Sequence, residues 1–229
     1  MERIYLSNKT ILMVSERISE VHNEDCMIGM ARYPDKWFDL AVVDPPYGIG
    51  VDGGIGGGVM AKKSSFIKKG WDANAPDESY FNELFRVSQN QIVWGANHVL
   101  AKTSPCWLVW DKQNGDNYFA DCELAWTSFR SSVRKFEFRW QGMLQGDMKN
   151  KEDKIHPTQK PVAIYDWIYK NYLPQGGKVI DTHLGSGSNR IAANKAGNID
   201  FTGFELDKDY YEAQEKRWKG FIAQTRLFG

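Results

Sequence analysis

The sequence predicts a single α/β domain built on a parallel sheet, and three features carry that prediction. Phe38-Asp39-Leu40-Ala41-Val42-Val43 is a nearly continuous apolar run, the pattern of a strand buried on both faces of a parallel sheet. Residues 178–223 read as a compact β-α-β-α unit. Between these two stretches short apolar strands alternate with helical segments, with no internal repeat and no clear linker. Residues 1–229 are therefore expected to form one domain, long enough to bury a sizeable core. A hydrophobic content of 42% and a charged content of 25% are globular values.

In chain order, Ile18 to His22 is expected to be a strand, with Asn23-Glu24-Asp25-Cys26 at its end and a short helix after it. The Phe38–Val43 strand follows. Residues 48–75 are rich in glycine and lysine, and long loops of this kind in compact domains are functional or disordered. Pro76 to Val87 reads as a helix opened by proline, with Phe81, Leu84, Phe85 and Val87 on its apolar positions. Gln91–Trp94 and Cys106–Trp110 are expected as further buried strands. Cys122–Trp126 and Val133–Trp140 alternate like an antiparallel pair, and residues 141–155 are polar and loop-like. Pro161 opens a helix through about Tyr172, ended by Pro174-Gln175-Gly176-Gly177. Lys178–Asp181 is the next strand, Leu184–Ser188 a turn, and Asn189–Ala196 a helix stopped by Gly197. Phe201–Glu205 is the last strand, and Lys208 to about Ala223 the last helix.

Lys+Arg and Asp+Glu balance at 29 each, so no overall field draws a polyanion, and nucleic-acid contact must come from local basic patches. Cys26, Cys106 and Cys122 are odd in number and too widely spaced for a zinc pattern. The four histidines make no metal-ligand spacing, so no metal is expected and the thiols are read as reduced. Met1–Tyr5 contains no long apolar stretch and nothing approaches a membrane span, which points to a cytoplasmic protein. Nine tryptophans within an aromatic content of 14% suit base stacking, although aromatic-rich cores are the commoner reason.

Two motifs carry chemistry. Asp44-Pro45-Pro46-Tyr47 closes the apolar strand. The prolines fix φ and stiffen the turn. A carboxylate and a backbone carbonyl beside them can accept the hydrogens of a planar exocyclic amine, and a tyrosine ring offers a stacking face for a base pulled from a duplex. The same residues also make an ordinary strand-exit turn. The second motif is a strand ending in Asp181, then Gly185 and Gly187, then a helix, which lets a ligand approach the backbone. Glu205 ends the following strand 18 residues after Gly187, the placement of an acid that bonds ribose hydroxyls. The loop lacks the third glycine of a dinucleotide fingerprint and the Gly-Lys-Ser/Thr of a phosphate loop. A nucleoside with an amino-acid tail fits better, its carboxylate meeting backbone amides at the helix start and the hydroxyls of Ser186 or Ser188.

With His156-Pro157-Thr158-Gln159-Lys160-Pro161 between them, these motifs resemble those of the amino-methyltransferases that act on DNA. Their order, with the tetrapeptide ahead of the cofactor loop, resembles the circularly permuted β class, over about residues 20–220. The resemblance implies a Rossmann-like methyltransferase fold: a mostly parallel seven-stranded sheet with helices on both faces and S-adenosylmethionine at the strand C-termini. It makes Asp44, Pro45, Pro46 and Tyr47 the catalytic motif. Asp181, Thr182, His183, Leu184, Gly185, Ser186, Gly187 and Ser188 become the cofactor loop and Glu205 the ribose acid. Asp25 resembles the acid that contacts the cofactor's adenine, and Lys160 is expected to meet its methionine carboxylate. Many relatives have Pro-Phe where this chain has Thr182-His183, so His183 alters that wall or simply packs.

The resemblance further implies methylation of adenine N6 in double-stranded DNA, since an Asp at the first motif position goes more often with adenine and a Ser with cytosine N4. Cytosine N4, an RNA or protein amide amine, and a DNA-binding module that has lost catalysis are the alternatives. Target-recognition loops are expected at about 48–75 and 112–155. Lys62, Lys63, Lys68 and Lys69, with Arg130, Arg134, Lys135 and Arg139, are the candidate DNA contacts, a solvated charged face being the plainer account of each. His98, beside Asn97, is read as a capping or core residue. With little room for a separate recognition domain, a short target or help from a homodimer is expected. A bacterial or phage-encoded protein of a restriction-modification setting goes with this family.

Overall fold

The structure, a computed structural model, describes residues 17–50, 68–100, 102–115, 120–141 and 144–228. The first strand, β1 (Ser19–His22), runs into α1 (Cys26–Met30), whose start is fixed by the Asp25 side chain accepting from the Met27 amide at 2.8 Å. β2 (Phe38–Val43) follows, then α2 (Glu78–Val87), β3 (Ser88–Trp94) and the single turn α3 (Ala96–Val99). The second helix starts two residues later than Pro76 suggests. Asp77 takes the cap position and accepts from the Tyr80 amide, and capping by a short acidic side chain is worth about 1 kcal/mol. β4 (Trp107–Asp111), β5 (Cys122–Thr127) and β6 (Arg134–Glu137) come next, then a two-stranded ribbon of β7 (Trp140–Gln141) and β8 (Leu144–Gln145). The chain continues with α4 (Val162–Tyr172), β9 (Gly177–Asp181), α5 (Ser188–Ala196), β10 (Ile199–Phe204) and α6 (Lys208–Phe228).

The described residues form one eight-stranded sheet in the order β1-β10-β9-β2-β3-β5-β4-β6, where the resemblance implies seven strands. The sheet is mostly parallel, and β5 alone runs against its neighbours. The expected antiparallel pairing of Cys122–Trp126 with Val133–Trp140 does not form. β4 lies between them, antiparallel to β5 and parallel to β6. The polar turn after Asp111 lets β5 fold straight back on β4, and β6 then takes the other, otherwise unpaired side of β4.

Helices cover both faces. On one, Ile164, Ile168 and Tyr165 of α4 and Ile191, Ala192 and Ala193 of α5 pack on Leu40, Val42, Ile92 and Val179. On the other, Met30 of α1 and Tyr80, Phe81, Leu84 and Val87 of α2 pack on Phe38, Ala41, Val43 and Val93. The strand β2 thus buries both of its faces, as its unbroken apolar run requires. Its neighbour β9 comes from the far end of the sequence, with Ala41 beside Ile180. This pairing brings the two sequence motifs to the same edge.

Candidate active site

Five adjacent parallel strands, β1, β10, β9, β2 and β3, deliver Asp25, Glu205, Asp181, Asp44 and Gly95 at or just beyond their C-terminal ends. Ligands of open α/β sheets bind at this edge. A cavity of about 580 Å³ lies there, lined among others by Asp25, Asp44, Pro46, Lys160, His183 and Glu205.

On the β2 side both oxygens of Asp44 are held. The Tyr47 hydroxyl donates to Oδ1 at 2.6 Å and the Lys160 ammonium to Oδ2 at 2.5 Å. The turn itself is fixed from below by buried Asp72, whose Oδ1 accepts from the amides of Tyr47 (2.7 Å) and Gly48 (2.8 Å). Tyr47 is stacked on His98 with centroids 5.3 Å apart and an interplanar angle of 19°. His98 is exposed, so it is not a core residue, and α3 has no side-chain cap hydrogen bond for it to make. Burial, with the Asp44 charge beside it, raises the Tyr47 phenol well above its ordinary range, which keeps it a donor.

Lys160 also donates to Glu123 Oε2 at 3.2 Å, and Glu123 is paired in turn with Lys112. Burial pushes the Glu123 carboxyl up, but the ammonium groups of Lys160 and Lys112 outweigh it and hold the pKa down to about 2. Lys160 is positioned by the segment 152–161. There Gln159 accepts from the Ile155 amide and donates to Asp153 O, and the Glu152 carboxylate caps α4 at the Val162 amide.

On the β9 side, Asp181 points into the protein. Its Oδ2 accepts from Asn189 at 2.9 Å and its Oδ1 from the His183 amide at 3.1 Å, and burial raises its pKa to about 7. Asn189 also donates to Val42 O and accepts from the Tyr169 hydroxyl, so Asp181 ties β9 to β2 and α4. Thr182 shares a hydrogen bond with Tyr80, and its hydroxyl meets His183 Nδ1 at 2.9 Å. Half-buried His183 has its pKa lowered to about 4 by desolvation and lies edge-on to Tyr80. It both packs and lines the cavity. Gly185 and Gly187 hold φ of +52° and +72°, the left-handed region that glycine enters without cost. Glu205 accepts from the Gly185 amide (2.8 Å) and the Asp207 amide (2.9 Å), and burial raises its pKa. Leu184 and Ser186 line the cavity. Ser188, buried behind them, meets the Ser186 hydroxyl at 3.1 Å.

The basic candidates separate. Lys62 and Lys63 lie outside the described residues. Lys68 is exposed, whereas Lys69 pairs with Asp207 (2.8 Å) and Asp209 (2.5 Å) on the cavity rim. Arg130, Arg134, Lys135 and Arg139 are exposed on and around the edge strand β6, four strand spacings from β2, or roughly 19 Å. Lys135 there pairs with Glu137 and Asp111.

Sequence reasoning does not find Glu123, Asp72 or Gly95. The one signal for Glu123 is an acid inside an otherwise apolar strand, Cys122-Glu123-Leu124-Ala125-Trp126. Among the described residues no group of three or more His, Cys, Asp or Glu side chains is placed to hold a metal, and no helix is long and apolar enough to cross a membrane.

Residues 126–216 match a family model described as DNA methylase. The Type II methyltransferase M2.MboI of Moraxella bovis is 22% identical, over 86% of this chain and 86% of its own. By sequence the chain is thus similar to DNA methyltransferases. Two solved structures share the fold. The M1.HpyAVI–SAM complex has a TM-score of 0.52 at 17% identity, covering 86% of this chain and 98% of its own. The cytosine-N4-specific PvuII DNA methyltransferase has a TM-score of 0.52 at 10% identity, covering 85% and 84%. The mostly parallel sheet with flanking helices that this chain shares with these structures brings Asp44 beside the 181–188 loop.

Proposed function

We propose that this chain transfers the sulfonium methyl group of S-adenosylmethionine to the N6 amine of an adenine flipped out of double-stranded DNA. The observation that carries the reading is one cavity with two unlike walls. One wall presents Asp44, clamped by two donors; the other presents the glycine turn, Asp25 and Glu205.

The residues present fit the cofactor. The turn at Gly185 and Gly187 opens α5, so backbone amides there and the Ser186 hydroxyl would hold the cofactor's carboxylate. Glu205 keeps lone pairs beyond the two amides it accepts from, suiting a ribose diol, and Asp25 suits an adenine amine. When bound, the cofactor supplies the electrophilic methyl. The protein supplies the amine's geometry. An adenine N6 lone pair is delocalised into the ring, and acceptance of its two hydrogens by Asp44 and by the Pro45 carbonyl favours a more tetrahedral nitrogen. Fixed acceptors of this kind act by positioning and electrostatics, and no covalent intermediate is needed. A flipped base would stack on the Tyr47 ring in the place His98 now takes, a contact worth about 1–3 kcal/mol.

Adenine is favoured by an aspartate at the first motif position. Cytosine N4 is the second reading, because the PvuII enzyme that shares the fold is cytosine-N4-specific. An RNA or protein amide amine is the rival substrate. With the amine motif ahead of the cofactor loop, the chain would be of the β class, acting as one domain. Its described basic positions on β6 and at Lys68 would face phosphates, with a second copy of the chain helping to read the target.

The test is incubation with methyl-labelled S-adenosylmethionine and unmethylated double-stranded DNA, RNA or protein, followed by nucleoside analysis. N6-methyladenine in the DNA is expected. N4-methylcytosine would move the specificity to cytosine, and no transfer to any substrate would leave only a binding module. Asp44→Ala should abolish transfer while cofactor affinity stays within about twofold, since lost positioning falls on the transfer step alone. Near-normal methylation by that variant would sink the mechanism.

A further inference from the structure

An ammonium group has three donors and no acceptor. In Lys160 three oxygens take them: Asp44 Oδ2 at 2.5 Å, Glu123 Oε2 at 3.2 Å and the Tyr47 hydroxyl at 3.4 Å. The Tyr47 hydroxyl donates in turn to Asp44 Oδ1 at 2.6 Å, so Asp44, Tyr47 and Lys160 close a ring of hydrogen bonds. The Lys160 side chain is 3% exposed and that of Asp44 is 16% exposed, and the ammonium also lies 5.5 Å from the centre of the Trp94 ring. Charge is balanced locally, with Lys160 and Lys112 set against Asp44 and Glu123. Turning Lys160 towards a cofactor carboxylate would strip a buried cation from two carboxylates, a heavy cost in a desolvated site.

We infer that Lys160 is a positioning residue for Asp44, anchored from behind by Glu123, rather than a ligand of the cofactor's methionine carboxylate. The inference rests on the proposed methyl transfer and says which side of the reaction Lys160 serves. Two donors, Lys160 and Tyr47, fix the carboxylate plane. The remaining lone pairs of Asp44 are then the ones presented to the amine. Glu123 holds the ammonium at the height of Asp44, because β5 sets its side chain opposite Trp110 in the sheet.

The experiment separates affinity from rate. In Lys160→Met, single-turnover methyl transfer from cofactor-saturated enzyme should fall about 100-fold, the effect of a misplaced reacting group. The cofactor Kd from titration calorimetry should stay within about twofold. Glu123→Gln keeps the lysine and its pairing with Asp44, leaving only the partly exposed Lys112 without its carboxylate, so it serves if the first variant does not fold. It should lower the rate about tenfold with the same unchanged affinity. A tenfold or greater loss of cofactor affinity in either variant, or an undiminished rate, overturns the assignment. Crystals of the wild-type protein with bound cofactor give a reading without turnover. Lys160 Nζ should remain within hydrogen-bond reach of Asp44, and an ammonium found on the methionine carboxylate instead would overturn the inference. If the wild-type protein methylates no DNA, the functional reading fails while this structural arm still stands or falls alone.

Discussion

At the residue scale, the ring of Tyr47 occupies the space a side chain on Gly95 would need. A Cβ built there would lie 1.9 Å from Tyr47 Cε1, and Gly95 itself has φ of +63°. Two separate penalties follow for Gly95→Ala: a left-handed backbone cost of about 1–2 kcal/mol, and a clash that must push the Tyr47 ring and its hydrogen bond to Asp44 aside. Gly115 separates them, since it holds φ of +66° and a Cβ added to it would meet nothing among the described residues within 4 Å. Gly95→Ala is expected to cut methyl transfer by about tenfold or more and to lower stability. Gly115→Ala should carry the backbone cost with near-normal transfer. Steady-state methylation with parallel urea unfolding of both variants checks this. Neither role is legible in the sequence, where Gly95 is one glycine in Trp94-Gly95-Ala96-Asn97. Close approach of a side chain from another strand's turn leaves no periodic trace.

At the element scale, the strands and helices around the site are readable because their patterns are local. The double-faced apolar run of β2, the glycine turn before α5 and the acid ending β10 each announce a neighbouring backbone geometry. Which strands pair is set by distant segments, and there the sequence misleads: nothing in it places β4 between β5 and β6. Glu123 shows the same limit, for its burial beside Lys160 depends on β5 joining the sheet next to β3. The last helix supplies a further long-range tie. Arg217 of α6 donates to Ser186 O at 2.8 Å and to Ser188 Oγ at 2.9 Å, and its other nitrogen meets Glu152 Oε2 at 2.5 Å. Glu152 is the residue that caps α4. One guanidinium therefore clamps the cofactor turn, α4 and the segment leading to Lys160. Arg217→Met should destabilise by about 3 kcal/mol, because it leaves a partly buried carboxylate without its cation. Urea unfolding measures the loss, and adding Glu152→Gln to the same chain should recover part of it.

At the scale of the whole molecule, the site lies on the seam where β2 from the first half of the chain meets β9 from the last third, and the buried titratable groups of that seam link its integrity to pH. Burial, with Lys160 nearby, lowers the pKa of His156 from 6.5 to about 3, and burial lowers that of His183 from 6.5 to about 4. Between these values and 6.5 the unfolded chain binds a proton at each site that the folded chain does not. Both groups therefore contribute stability that is present above pH 6.5 and lost as pH falls. Asp181 works in the opposite sense. Its pKa rises from 3.8 to about 7 on burial, so the folded chain holds the extra proton and gains stability as pH falls through that window. Two histidines outweigh one aspartate, and these three groups together make the fold weaken as pH drops from 6 to 4. His156 also packs against Trp71 and Tyr210 on the cavity rim, where asparagine can replace it without a titrating ring. In His156→Asn the slope of unfolding free energy against pH between 4 and 6 should fall by about 1.4 kcal/mol per pH unit, the value of one proton. Urea midpoints of the two proteins at pH 4.5, 5.5 and 7.5 give that slope directly. Parallel curves for both would mean that His156 is already charged in the folded chain.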